Sequence, residues 1–118
     1  VFYETINFAS LKKLPIIFIC ENNSYSVYSP LKVRQPSDRK IYKMVKAMGI
    51  KKSFFCEYYD PYQIYSFIKN KINRKKFNSG PYFFEFKTYR WLEHCGPNLD
   101  NNLGYREKSE HNKWLKKE

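Results

Sequence analysis

An α/β fold, a parallel sheet with helices on both faces, is predicted by three features of this 118-residue sequence. Helix-like and strand-like segments alternate three times along the chain, the pattern of βαβ units. Ile16-Ile17-Phe18-Ile19-Cys20 is an apolar run without alternation, as expected of a strand buried on both faces. The composition turns loop-like only after the third strand.

The first segment, residues 2–13, reads as a helix with Phe2, Ile6 and Ala9 on one face. Leu14-Pro15 ends it, because the residue before proline avoids the helical region. The apolar strand follows and stops at Glu21-Asn22-Asn23. After a connection carrying Tyr, Ser and two prolines, Ser37 is expected to cap a second helix, with Asp38 in its first turn. Ile41, Met44, Val45 and Met48 give that helix one apolar stripe, and Gly49 suits the left-handed residue that closes it.

Ser53 to Tyr59 is predicted as the second strand. Asp60-Pro61-Tyr62-Gln63 is a helix start: a cap, a proline at the first position, and Gln63 at the capping-box position. Ile64, Phe67, Ile68 and Ile72 carry this third helix to about Arg74. Asn78-Ser79-Gly80-Pro81 turns the chain into a third strand, Tyr82 to Tyr89. Leu92 to Arg106 then holds two Gly, one Pro, three Asn and one Asp, a loop long enough to be functional or mobile. Glu107 to Lys117 is expected to form a last, charged helix. Residues 1–90 are thus expected to form the α/β domain, and 91–118 a loop and terminal helix of the same domain.

Composition narrows the function classes. At 14.4 kDa there is room for one domain, and 42% hydrophobic with 19% aromatic residues suffices for a core. The longest apolar run is far too short to cross a bilayer. Cys20, Cys56 and Cys95 form no CxxC pair, which argues against a zinc site and for a reducing, cytoplasmic setting. The net charge of +11 invites a nucleic-acid reading. It rests on 17 Lys against 5 Arg, alongside 10 Asn and 9 Ile, a skew of AT-rich codons that places charge on solvated faces. Nucleic acid is therefore not an expected partner, and neither is a membrane.

In an open parallel sheet, ligands bind beyond the carboxyl ends of the strands. Asn22-Asn23 follows the first strand and Glu93-His94-Cys95 follows the third, so parallel strands would bring both groups to one edge. An asparagine oxygen is a hard, neutral ligand for Mg²⁺ or Ca²⁺; equally, Asn-Asn makes a turn by bonding its own main chain. His94 can act as an acid–base group, donate to an anion, or lie idle on a loop. Cys95 has no visible group to orient it as a nucleophile, Glu85 and Glu93 show no acid–base spacing, and His111 sits in the charged tail. Gly49, Gly80, Gly96 and Gly104 are too far apart for a phosphate-binding glycine loop.

Two separated stretches carry a resemblance. Phe2-Tyr3-Glu4-Thr5-Ile6-Asn7-Phe8-Ala9 followed by Leu14-Pro15 and the strand into Glu21-Asn22-Asn23 is the first. Gly80-Pro81, Glu85, Thr88-Tyr89-Arg90, His94, Asp100 and Tyr105-Arg106, in that order, is the second. Together they resemble the alpha subunit of thiamine-diphosphate-dependent 2-oxo acid dehydrogenases of the pyruvate, acetoin or branched-chain type. The resemblance implies a partial thiamine-diphosphate-binding fold. It also implies an oxidative decarboxylation of a 2-oxo acid, with acyl transfer to a lipoyl carrier. Its cofactors would be thiamine diphosphate and Mg²⁺. Its partners would be a beta subunit, in an α2β2 heterotetramer, and a lipoyl-bearing acyltransferase.

The same resemblance implies residue roles. Asn23 would bind Mg²⁺ through its side chain and Tyr25 through its backbone carbonyl, the metal holding the cofactor diphosphate. His94 would reach that diphosphate near the reacting centre. Arg90 would order the loop rather than take part in chemistry. The family's Gly-Asp-Gly segment is absent, so the chain is expected to be a piece of a longer subunit and inactive alone. Glu93-His94-Cys95 stands where many members have Gly-His-Ser, which removes a phosphorylatable serine. A non-oxidative decarboxylase or carboligase using the same cofactor is one alternative. A small basic RNA-binding α/β module is the other.

Overall fold

The computed structural model describes residues 1–117; Glu118, the last residue of the expected terminal segment, lies outside them. Three parallel strands form the sheet: β1 (Ile17–Asn22), β4 (Lys52–Cys56) and β5 (Tyr82–Lys87), in the order β1-β5-β4. A two-stranded hairpin, β2 (Tyr25–Ser26) and β3 (Ser29–Pro30), follows β1 directly. The helices are α1 (Phe2–Leu11), α2 (Ile41–Ala47), α3 (Pro61–Lys71) and α4 (Lys108–Leu115).

The last strand in sequence is central in space. Tyr82, Phe83, Phe84, Glu85 and Phe86 are all buried, because β5 has a neighbour on each side and helices on each face. One face packs Phe83 with Ile6 of α1, Val45 of α2 and Ile50, joined by Phe18 and Cys20 of β1. The other packs Tyr82, Phe84 and Phe86 with Cys56 and with Ile64, Phe67 and Ile68 of α3. The predicted parallel sheet with helices on both faces is what forms.

Two expectations need correction. The first strand is not buried on both faces: Ile17 is 38% and Ile19 54% exposed. β1 is an edge strand, and α3 covers only the β4–β5 side of its face, so only alternate residues (Phe18, Cys20, Asn22) turn toward the helices. Nor does Ser37 cap the second helix. Residues 37–38 form a turn, and the helix starts at Ile41 with no cap from its own segment. Its first-turn Tyr42 N–H donates instead to the Glu85 carboxylate across the sheet at 2.9 Å, so a tertiary cap replaces the local one.

The remaining differences lie at element ends. α1 stops at Leu11, two residues early, because Lys13 turns left-handed (φ 51°) and Leu14 N–H closes back on Ala9. β4 and β5 end at Cys56 and Lys87, before the aromatic residues that extended both predictions. α3 ends at Lys71, and a 3₁₀ segment, Arg74–Ser79, replaces part of the expected turn. Its start is as predicted: Asp60 accepts from Gln63 N–H at 2.8 Å with Pro61 next to it. In the terminal loop, Asn101–Leu103 forms a single 3₁₀ turn. Among the described residues no helix is long and apolar enough to cross a membrane.

Gly49 closes α2 at φ 104°, and a Cβ there would collide with Ser10 Oγ of α1. The left-handed backbone therefore calls for glycine, and a Cβ would also force the Ser10 hydroxyl to turn away. Gly49→Ala should destabilise the protein by more than about 1 kcal/mol, read as a lowered midpoint in urea unfolding.

Candidate functional site at the carboxyl edge of the sheet

Parallel pairing sets Asn22 beside Lys87, so the ends of β1 and β5 lie together at one edge. Here the asparagine pair divides its work. Asn22 Nδ2 donates to Glu85 Oε1 at 2.8 Å, and Asn22 Oδ1 accepts from Ser24 N–H at 3.0 Å. Both ends of its amide are used inside the fold. Asn23, half-buried, is bonded among the described residues through Oδ1 alone, which accepts from Tyr25 N–H at 2.9 Å and keeps its second lone pair, while its Nδ2 is not tied to the fold as that of Asn22 is. The turn expected of an Asn-Asn pair is present, and it does not consume the second asparagine.

Tyr25 opens the hairpin. Leu31 N–H donates to Ser24 O at 2.7 Å, and Ser26 pairs with Ser29. Bonded and non-bonded positions alternate in an antiparallel pair, so Tyr25, opposite Pro30, sits at a non-bonded position and its carbonyl points out of the hairpin. Asn23 and Tyr25 thus present two hard, neutral oxygens two residues apart, a donor set that fits Mg²⁺. Among the described residues no group of three His, Cys, Asp or Glu side chains is placed to hold a metal.

A buried ionic cluster supports the hairpin from the terminal loop. Asp100, 1% exposed, accepts from the Tyr105 hydroxyl and from Arg106 Nη2, and Arg90 Nη2 lies 3.5 Å away. Burial alone would raise the Asp100 carboxyl; the Tyr105 hydroxyl and the two guanidinium groups hold it below the ordinary value. Arg90 also donates to Val27 O at 2.7 Å and to the Tyr105 hydroxyl at 3.0 Å. It thereby ties the hairpin tip to the loop. Arg106 lies over Tyr89 and Tyr105, at 4.7 and 4.9 Å from their ring centres, which compensates a buried cation whose Nε has no partner.

Tyr25 is the contact point. Its ring meets Tyr105 edge-on at 5.4 Å, and its hydroxyl donates to Glu110 Oε2 of α4 at 2.6 Å. Burial and the Glu110 carboxylate push this phenol well above its usual value, so it stays a donor. α4 is in turn seated by Tyr89 OH against His111 Nδ1 at 3.2 Å and by Trp114 against Tyr89 and Tyr59.

His94 is exposed, on a short loop closed by Glu93 N–H to Asn98 O at 2.9 Å and Asn98 Nδ2 to Glu93 Oε1 at 2.7 Å. Among the described residues, no hydrogen bond or ring contact joins it to Asn23 or Tyr25. Cys95 beside it is exposed as well. Cys20 is half-buried; burial, reinforced by Glu85 and Glu21, pushes its thiol up to about 11. Sequence reasoning named Glu85 without its bonding role and missed Glu110. A lone carboxylate inside Tyr82–Lys87, an otherwise aromatic strand, was a readable sign of a buried, paired charge. Glu110 carried no such sign among the charges of its helix.

The profile of the family described as dehydrogenase E1 component matches residues 1–118. The chain belongs to this family. Its members are thiamine-diphosphate dependent. It is 31% identical over 113 residues to the 2-oxoisovalerate dehydrogenase subunit alpha of Bacillus subtilis (strain 168), covering 92% of this chain and 32% of that protein. It is 34% identical over 108 residues to the pyruvate dehydrogenase E1 component subunit alpha of Rickettsia bellii (strain RML369-C), with the same coverages. The corresponding subunit of Staphylococcus aureus (strain Mu50) is 32% identical over 117 residues, 99% of this chain and 31% of that protein. The chain spans about a third of the length of these E1 relatives.

The Asp100 cluster has a definite pH signature. Its folded pKa is lowered, so its stabilisation is present above the ordinary aspartate value of 3.8 and lost as pH falls through the lower folded value. Asp100→Asn should remove that part of the acid limb. At neutral pH it should cost about 3 kcal/mol by leaving Arg106 buried without its counter-charge. Urea midpoints measured from pH 2 to 7 for both proteins check this.

Proposed function

We propose that this segment forms the metal- and diphosphate-facing edge of the alpha subunit of a thiamine-diphosphate-dependent 2-oxo acid dehydrogenase. The observation that carries the reading is the division between the two asparagines. Asn22 is tied at both ends of its amide, to Glu85 and to Ser24 N–H, whereas Asn23 is held among the described residues by the Tyr25 N–H alone, beside the outward Tyr25 carbonyl at the carboxyl edge where open α/β sheets bind ligands.

In this reading Asn23 Oδ1 and the Tyr25 carbonyl would hold Mg²⁺, and the ion would supply the positive charge that a diphosphate needs. The bound cofactor supplies the electron sink for decarboxylation. The work of this chain is to position and to balance charge. The Asx turn fixes the Asn23 oxygen, and Arg90 pins the hairpin tip through Val27 O. Exposure of His94 on a loop leaves its ring able to donate to the diphosphate.

The E1 relatives are named for pyruvate and 2-oxoisovalerate, both 2-oxo acids, which supports that substrate class here. They are named as alpha subunits, which supports a separate beta subunit in an α2β2 assembly. Transfer of the acyl group to a lipoyl-bearing acyltransferase completes the proposed reaction. Free thiols at Cys20, Cys56 and Cys95 support a reducing, cytoplasmic setting.

The test uses the complete subunit with its partner, titrated calorimetrically with thiamine diphosphate in the presence of Mg²⁺. Asn23→Ala should weaken binding by about 10-fold or more. Asn22→Ala should bind near the parent affinity yet unfold more easily, by about 1–3 kcal/mol, because Glu85 loses a donor. Parent-like affinity in Asn23→Ala would overturn the assignment.

A further inference from the structure

Tyr25 is held at both ends by different parts of the chain. Its N–H is bound locally by Asn23 Oδ1 at 2.9 Å. Its hydroxyl is bound by Glu110, 85 residues away on α4, at 2.6 Å. Between these points the ring leans on Tyr105, and the Arg106 guanidinium sits 6.0 Å from the ring centre. The carbonyl of Tyr25 points out of the hairpin ladder, and because its peptide is planar with the Ser26 N–H on the ladder side, it moves with the hairpin. A tyrosine side chain has only two soft torsions, so fixing its hydroxyl fixes its Cα within a short arc. Where α4 sits therefore sets where the Tyr25 end of the hairpin, and the carbonyl it carries, is held.

We propose that Glu110 is a positioning residue for the Tyr25 carbonyl, so that docking of α4 and binding of the metal–diphosphate favour one another. This deepens the reading of Asn23 and Tyr25 as the metal-facing oxygens and rests on it. α4 is suited to such a part because its anchors are few and aromatic. His111 bonds Tyr89, and Trp114 packs on Tyr89 and Tyr59, while none of its residues is fully buried. A helix held this way samples undocked positions at modest cost, and the Tyr25–Glu110 bond reports its position to the hairpin. Linkage makes the effect reciprocal. Whatever factor α4 docking adds to the affinity for the metal–diphosphate, binding must add to the docking equilibrium.

The experiment uses the complete subunit with its partner and four variants: Tyr25→Phe, Glu110→Ala, their double, and Glu110→Gln. Two quantities are read. One is the calorimetric affinity for thiamine diphosphate with Mg²⁺. The other is amide hydrogen exchange across residues 108–115, with and without the cofactor. Tyr25→Phe and Glu110→Ala should each weaken binding about 5- to 10-fold, and the double should be no weaker than either single, since one bond is lost in all three. Cofactor should slow exchange in α4 of the parent and leave it unchanged in those variants. Glu110→Gln, which can still accept from the phenol, should restore most of both effects.

Parent-like affinity in Tyr25→Phe and Glu110→Ala overturns the proposal, as does multiplication of their effects in the double. So does a lowered melting temperature with the cofactor-induced protection of α4 intact, which would mark the bond as structural only. The Asn23→Ala titration separates the two levels. If Asn23→Ala weakens binding while Tyr25→Phe does not, the metal reading stands and the role of Glu110 falls. If Asn23→Ala binds like the parent, the metal reading itself falls, and this proposal with it.

Discussion

One buried carboxylate organises the carboxyl edge of this sheet. Glu85 sits on the central strand, 4% exposed, where an unpaired charge would be prohibitive. One oxygen takes the Tyr42 amide at the start of α2, and the other takes Asn22 at the end of β1. The helix terminus contributes partial positive charge, so the carboxylate is compensated without a cation. In satisfying itself, Glu85 sets where α2 begins, how β1 ends, and which of two adjacent asparagines is spent. Ser53, which donates to Tyr42 O at 2.6 Å, extends the same arrangement to β4.

A second buried carboxylate does the corresponding work for the terminal loop. Asp100 gathers Arg106, Arg90 and Tyr105, and through Arg90 it reaches the hairpin tip. The loop has few apolar residues to bury, so an ionic core substitutes for an apolar one. Such a core is demanding, because each member left unpaired costs several kcal/mol, about 3–5 for a broken buried pair. It is also geometrically strict, which suits a segment that must hold the short hairpin Tyr25–Pro30 in one shape. That hairpin carries strain of its own: Val27, β-branched, is held at φ 54°.

Legibility in the sequence followed the range of the interactions. Asp60-Pro61 and the Ile41, Met44, Val45, Met48 stripe are local signals, and both located their helices. Gly49 was readable because a left-handed residue leaves few alternatives to glycine. Ser37 misled because it offered a good local cap that the distant Glu85 displaced. The Ile16–Cys20 run misled because apolar continuity gives no information on strand order, and insertion of the last strand between the first two left β1 at an edge. At the site, Asn23 and Tyr25 came from a resemblance, since spacing alone favoured a simple turn. The ion pair of Asp100 with Arg106 and the hydrogen bond of Tyr25 with Glu110 have no periodicity, so only the fold could reveal them.

The charge distribution gives the proposed site its logic. Glu85 and Asp100 are the buried acids, and both are already spent, one on a helix terminus and one on two arginines. Glu110 is spent on a phenol. The two groups offered by Asn23 and the Tyr25 carbonyl are themselves neutral oxygens, on a chain of net charge +11. A bare divalent cation gains little from such a setting, because two neutral ligands do not offset its dehydration. A divalent cation that arrives with a diphosphate would bring its own anionic ligands, which offset what two neutral oxygens cannot. On that proposal neutral donors are an advantage, since a further carboxylate at this turn would repel a diphosphate.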